Sequence, residues 1–195
     1  MECLSTADAA TCTACRLSQN RTRVVLPDGP RGGLLAIGEA PGRQEDAQGV
    51  GFVGIAGRNL DAALADCGLS RDQWARSNIV RCRPPDNRKP RADEVSACAG
   101  WLDQTLQAWR PRVILAVGQS AAERLMPAWQ GSYLDTVARL LADDGVLPVY
   151  GGVPVVPMPH TSPLAWNRRR PDGTPIRDIG MQAVRHAVAL AQSAT

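Results

Sequence analysis

Four cysteines constrain this chain more than any other feature: Cys12 and Cys15 near the start, Cys82 and Cys98 in the middle. The spacing is Cys-x2-Cys, 66 intervening residues, then Cys-x15-Cys. Four thiolates close a tetrahedral metal site or hold a cubane iron–sulfur cluster. Either would tie the start of the chain to its middle. Residues Met1–Ala10 show no signal-peptide pattern, and no apolar run approaches the roughly 18 residues of a membrane span. The expected compartment is therefore the cytoplasm, where thiols stay reduced and cysteines serve as metal ligands in place of disulfides. Cys3 and Cys67 are left over; Cys67, ahead of Gly68 at the end of an apolar helical stretch, is expected in the core.

With 195 residues, 44% of them hydrophobic, a single domain over 1–195 is expected. Four short apolar runs read as buried strands: Leu34–Ile37, Asn78–Val80 with its flanks, Val113–Val117 and Val153–Pro157. Helical periodicity lies between them, at Asn59–Cys67, Ala92–Trp109, Ser120–Leu125, Tyr133–Leu141 and Arg177–Gln192. Strands alternating with helices predict an α/β fold around a mainly parallel four-stranded sheet. Ligands of such sheets gather beyond the carboxyl ends of the strands. Three loops in those positions, over residues 38–57, 81–91 and 160–170, carry the chemically capable residue types and are expected to meet in one crevice.

The first of these loops holds glycines at 38, 42, 51, 54 and 57, which let the backbone bend sharply and approach a flat ligand closely. Glu39, directly after a strand, stands where an α/β enzyme places a catalytic carboxylate. The loop matches neither the G-x-G-x-x-G dinucleotide fingerprint nor a phosphate-binding P-loop.

Gly38-Glu39-Ala40-Pro41-Gly42, the Glu45-Asp46 pair, Gly51-Phe52-Val53-Gly54-Ile55-Ala56-Gly57 and the segment from Asn78 to Pro90 together resemble the iron–sulfur (family 4) uracil-DNA glycosylases. Cys12, Cys15, Cys82 and Cys98 match that family's cluster ligands in order and approximate spacing. The resemblance implies a three-layer α/β/α sandwich, a [4Fe–4S] cluster on those cysteines, and hydrolysis of the N-glycosidic bond of uracil in DNA. The partner is then uracil-containing DNA, with no membrane, and the chain is expected to act as a monomer.

Base excision requires a flipped base, held by its edge and face while charge separates. Phe52, the only phenylalanine, sits between glycines on a loop, poorly placed for a core and well placed to stack on a pyrimidine. Gly38 and Ala40 let the base come close. Asn78 offers an amide to uracil O4 and N3–H, a pair that cytosine mismatches. Glu39 orients or deprotonates water, or steadies an oxocarbenium-like sugar; Glu45 and Asp46 stand in reserve. His160 donates to uracil O2 as the base leaves, whereas His186 is an ordinary residue of the last helix. Where the family usually shows His-Pro, this chain has His160-Thr161-Ser162-Pro163-Leu164. That loop is closer to the main uracil-DNA glycosylase family, in which the leucine wedges into the duplex. Ser162 and Leu164 are thus expected at the DNA, with Trp166 stacking nearby or packing inside.

Lys89 is the only lysine among 22 basic residues. Arg81, Arg83 and Arg88 beside the cluster, and Arg168, Arg169 and Arg170 beyond the His160 loop, are expected to hold phosphates. With no amine nucleophile but Lys89, a monofunctional enzyme is expected. No basic insertion follows Val53, so the covalent product link of one family subgroup is not expected. Three rivals remain: a preference for hypoxanthine or xanthine, a non-catalytic metal-stabilised DNA-binding module, and zinc in place of the cluster.

Overall fold

Strands apolar on both faces, joined by helices apolar on one, bury their surface best as a sheet between two helical layers. The computed structural model describes residues 9–142 and 145–193. Its strands are β1 (Leu34–Gly38), β2 (Ala75–Asn78), β3 (Val113–Val117), β4 (Val149–Tyr150) and β5 (Val153–Met158), in the spatial order β2-β1-β3-β5-β4. Its helices are α1 (Arg43–Gln48), α2 (Ile55–Ala65), α3 (Ala92–Trp109), α4 (Gln119–Leu125), α5 (Tyr133–Leu140), α6 (Pro163–Trp166) and α7 (Ile176–Gln192). β2, β1, β3 and β5 are parallel, and β4 turns back antiparallel on β5. The expected four-stranded parallel sheet is the body of the fold; β4 is a fifth strand not expected from the sequence. Its signal is Gly151-Gly152, which take positive φ of 57 and 84 in the two-residue hairpin loop.

Alternate residues of β1 and β3 divide two cores. Leu34, Ala36, Leu115 and Val117 pack with Leu60 and Leu64 of α2 and Ala183 and Val184 of α7. Leu35, Ile37, Ile114 and Ala116 pack with Leu102 and Leu106 of α3 and Ala122 and Leu125 of α4. The three-layer α/β/α arrangement follows. α3 has the bounds its periodicity predicts, and its first turn is closed by Glu94, whose carboxylate accepts the Arg91 N–H at 2.8 Å. Among the described residues no helix is long and apolar enough to cross a membrane.

β2 lies earlier than expected, ending on Asn78 instead of beginning there. Arg76 hid it from an apolar-run criterion. This arginine is buried because Asp28 pairs with its Nε and its guanidinium lies 4.8 Å from the centre of the Trp74 ring. The N–H groups of Ile79 and Val80 still donate to Gly38 and Glu39 at 2.9 and 3.2 Å, so pairing with the β1 segment continues past the strand. α1 also escaped notice, since its only buried residues are the carboxylates Glu45 and Asp46.

Candidate active site

From β1 the chain runs outward to β2 and then returns past β1 to β3, so the carboxyl ends of β1 and β3 flank a topological switch point. A crevice of about 550 Å³ opens there. Every parallel strand delivers a residue to it: Gly38 with Glu39 from β1, Asn78 from β2, Val117 from β3, and His160 just beyond β5. Ala40, Phe52, Ser162 and Arg88 line it as well. The three loops do converge.

Gly38 is where the wall is tightest. A Cβ on it would stand 2.6 Å from Asn78 Oδ1 and 2.9 Å from Phe52 Cζ, so only glycine lets both the amide and the ring sit this close to the backbone. Asn78 is 6% exposed, and its amide has no hydrogen-bond partner among the described residues. The described side-chain atoms that are both buried and unpartnered are Trp74 Nε1 and Ser77 Oγ; the Asn78 amide instead opens on the crevice, where water or a ligand of matching donors and acceptors meets it.

Phe52 holds a left-handed backbone conformation, φ 56, that costs a residue with a Cβ roughly 1–2 kcal/mol. Such strain persists only where surroundings impose it. Gly57 presses its backbone against the Phe52 carbonyl, where an added Cβ would lie at 2.1 Å. Glu45 Oε1 accepts the N–H groups of Val53 and Gly54 at 2.9 and 2.6 Å, and Oε2 accepts that of Gly42 at 3.1 Å. Asp46 accepts the N–H groups of Thr22 and Arg23. These two carboxylates are therefore loop staples, not reserve bases. The Phe52 ring meets Trp74 edge-on, with centroids 6.0 Å apart at 80°. At 9% exposure it belongs to the core as well as to the crevice wall, contrary to the expectation for a residue between glycines.

His160 Nδ1 accepts the Ser162 N–H at 3.1 Å. The neutral ring then carries its proton on Nε2 and is a donor from that atom. Desolvation by the surrounding walls lowers the His160 pKa, offset in part by the negative charge of Glu39, so the imidazole is uncharged at neutral pH. The carboxylate of Glu39 has no hydrogen-bond partner among the described residues. Thr161, which drew no notice in the sequence, is fully buried behind the histidine. Its Oγ1 donates to the Ala56 carbonyl at 2.7 Å and its carbonyl accepts from Asn59 Nδ2 at 2.8 Å, clasping the His160 loop to the start of α2. The signal was there: a hydroxyl residue where the resembling pattern has proline.

A model of the uracil DNA glycosylase superfamily matches residues 27–179. The chain belongs to that superfamily. Similar proteins include type-4 uracil-DNA glycosylases of Sulfurisphaera tokodaii (39% identity, over 60% of this chain and 54% of that protein) and Archaeoglobus fulgidus (42%, over 57% of each). Another, from Thermotoga maritima, is 37% identical over 80% of this chain and 79% of its own length. The family-4 resemblance holds. The chain matches little more than half the length of the first two relatives and most of the third.

Within this superfamily fold the arginines divide by their partners. Arg81 is buried; it donates to the Trp101 carbonyl and Thr105 Oγ1 and lies over the Trp101 ring, so it braces α3 and meets no phosphate. Arg88 forks onto the buried Glu94 at 2.8 and 2.7 Å and holds that carboxyl down at about 2. Arg170 pairs with Asp135 and, at 3.6 Å, with Asp172. Buried Arg81 corrects the expectation of six phosphate-holding arginines, while Arg88 and Arg170 already hold carboxylates. Arg83 donates to Asn87 Oδ1 at 2.7 Å. Arg168 and Arg169 are exposed, the latter donating to the Gly173 carbonyl. Arg43, not singled out from the sequence, lines the crevice, is exposed and has no carboxylate partner among the described residues. Leu164 is 83% exposed on α6, whereas Trp166 is buried with its ring on Gly180. Of the pair, only Leu164 can reach a ligand.

The cysteines form their own corner. Cys82 and Cys98 are buried with Leu17 and Val80, and Cys15 packs beside them. Burial pushes both thiols up, Cys98 to about 11, and the charges of neighbouring thiolates add to this. Cys12 stands within electrostatic reach of Cys82 and Arg81, and Arg21 Nη1 donates to Cys82 Sγ at 3.2 Å. Among the described residues no three His, Cys, Asp or Glu gather tightly enough to hold a single metal ion. A corner of four sulfurs, two of them buried where a free thiolate is costly and flanked by two guanidinium groups, fits an anionic iron–sulfur group. Cys67 packs against the larger core, as expected. Cys3 lies outside the described residues.

Proposed function

We propose that this protein is a monofunctional uracil-DNA glycosylase that flips uracil out of DNA and hydrolyses its N-glycosidic bond, as a cytoplasmic monomer in base excision repair. The observation that carries the reading is the pair of groups that Gly38 admits at the crevice wall: the Asn78 amide, without a protein partner among the described residues, and the Phe52 ring, 2.6 and 2.9 Å from the absent Cβ. The names of the type-4 relatives support it.

The flipped uracil stacks on Phe52 while the Asn78 amide accepts from N3–H and donates to O4; cytosine presents the reverse pattern. Gly38 and Ala40 leave room for the base edge. As the bond between N1 and C1′ breaks, its electron pair stays with uracil and negative charge gathers on O2. The His160 Nε2–H donates there from a neutral ring. Water adds to C1′, and Glu39 orients it and takes its proton. Leu164 fills the space left by the base, with Ser162, Arg43, Arg83, Arg168 and Arg169 on the flanking backbone. Cys12, Cys15, Cys82 and Cys98 would hold a [4Fe–4S] cluster, which supplies a cross-link steadying the segment four residues beyond Asn78.

The test is abasic-site formation on oligonucleotides carrying uracil, hypoxanthine, xanthine or cytosine. Alkali-labile breaks at uracil are expected. Breaks only at a deaminated purine would change the substrate, and none at any base would leave a binding module.

A further inference from the structure

We infer that Arg71 is the positioning residue for Phe52: it sets the orientation of the ring, and acts on base binding only through that ring. The inference rests on the proposed uracil site. The φ and ψ of a residue are the rotations of its two flanking peptide planes about its Cα, so whatever holds both planes holds the direction of the Cα–Cβ bond, and the edge contact with Trp74 limits how the ring turns about it. Arg71 holds both. Its Nη2 donates to the Gly51 carbonyl at 2.8 Å, in the plane before Phe52, and its Nη1 donates to the Phe52 carbonyl at 3.0 Å, in the plane after.

Glu45 grips the second plane from its other edge through the Val53 N–H. Among the described residues, the grip on the first plane comes from Arg71. The guanidinium is itself fixed, its Nη1 lying 2.9 and 2.8 Å from the two carboxylate oxygens of Asp61 on α2. It also lies 5.8 Å from the centre of the Trp74 ring, which in turn touches Phe52 edge-on. One planar fork thus governs the backbone of Phe52 and backs the aromatic ring it leans on. A lysine ammonium carries the charge but has no fork to span two carbonyls and a carboxylate. That geometry explains how a bulky residue keeps φ at 56 beside the crevice.

The test is a double-mutant cycle read on free uracil. The inhibition constant of uracil against cleavage is measured for wild type, Arg71→Lys, Phe52→Ala and the double variant, with affinity for uracil-free duplex and melting temperature alongside. Arg71→Lys is expected to weaken uracil inhibition roughly tenfold, within the range set by one stacking aromatic ring. In the Phe52→Ala background it should add nothing, and affinity for uracil-free duplex should not change. If Arg71→Lys does not fold, Asp61→Asn loosens the same guanidinium and should give a smaller loss that also vanishes in Phe52→Ala. Losses that add across the cycle, or uracil inhibition unchanged in both Arg71→Lys and Asp61→Asn, would overturn the inference alone. A wild-type protein blind to uracil would overturn the functional reading and this inference with it.

Discussion

The amide oxygen of Asn78 and the ring edge of Phe52 lie 2.6 and 2.9 Å from one point, the empty Cβ position of Gly38. A base held there is read on its edge by one residue and on its face by the other. Asn78→Asp replaces a donor–acceptor pair by acceptors alone. Uracil cleavage in single turnover should fall about 10²-fold, and the rate on cytosine duplexes should rise. Full uracil activity with unchanged base preference would make Asn78 structural.

Phe52→Ala removes a stacking surface worth about 1–3 kcal/mol per base. Because the ring is also packed on Trp74 within the core, thermal stability should fall too, by about 3 kcal/mol. Chemical denaturation and single-turnover rates measured together separate the two losses. An unchanged midpoint would place the ring wholly in the crevice.

His160 should titrate below the ordinary histidine value of 6.5. Glu39 raises it, so Glu39→Gln should move the midpoint lower still, by loss of a negative neighbour. The linked stability has a definite sign. With the folded pKa depressed, the unfolded state binds more protons, so this contribution is full above about 6.5 and is lost as the pH falls through the folded value. NMR titration of the ring protons in both proteins reads this directly. A midpoint that rises in Glu39→Gln contradicts the electrostatic arrangement. In the same variant, single-turnover cleavage should drop sharply while DNA affinity holds.

Arg168→Ala with Arg169→Ala should reduce the slope of log affinity against log salt by up to about 0.9 for each phosphate left without its arginine. Arg170→Ala should leave the slope near wild type, because its guanidinium is already held by Asp135. Equal slopes for all of these variants would return the whole triplet to solvated surface.

Cys98→Ser should lose iron and its visible absorbance, since three thiolates do not close a four-ligand site. Iron and sulfide content of protein purified without oxygen settles the outcome. Full content in the variant would pass the fourth ligand to another cysteine.

Local order dictated by neighbouring residues was legible in the chain. Val113–Val117 is a strand and Ala92–Trp109 a helix with the bounds expected, because an unbroken apolar run and an apolar spacing near 3.6 residues are both written over adjacent positions. The order of strands and loops likewise brought Glu39, Phe52, Asn78 and His160 to one end of a parallel sheet. Choices among distant partners were not legible. Arg81, Arg88 and Arg170 look like Arg83, Arg168 and Arg169 in sequence. What separates them is whether a Thr105, a Glu94 or an Asp135 folds against the guanidinium. Arg76 could enter β2 only because Asp28 and Trp74 wait there. Phe52 keeps its left-handed turn only because Glu45, Gly57 and Arg71 close on it from three elements. By itself the sequence determined the α/β alternation and which residue types arrive at the crevice, since these follow from local pattern. Only the tertiary structure decided which charges are neutralised and how the ring is aimed, because a long side chain takes its partner from whatever the fold sets within a few ångströms of it.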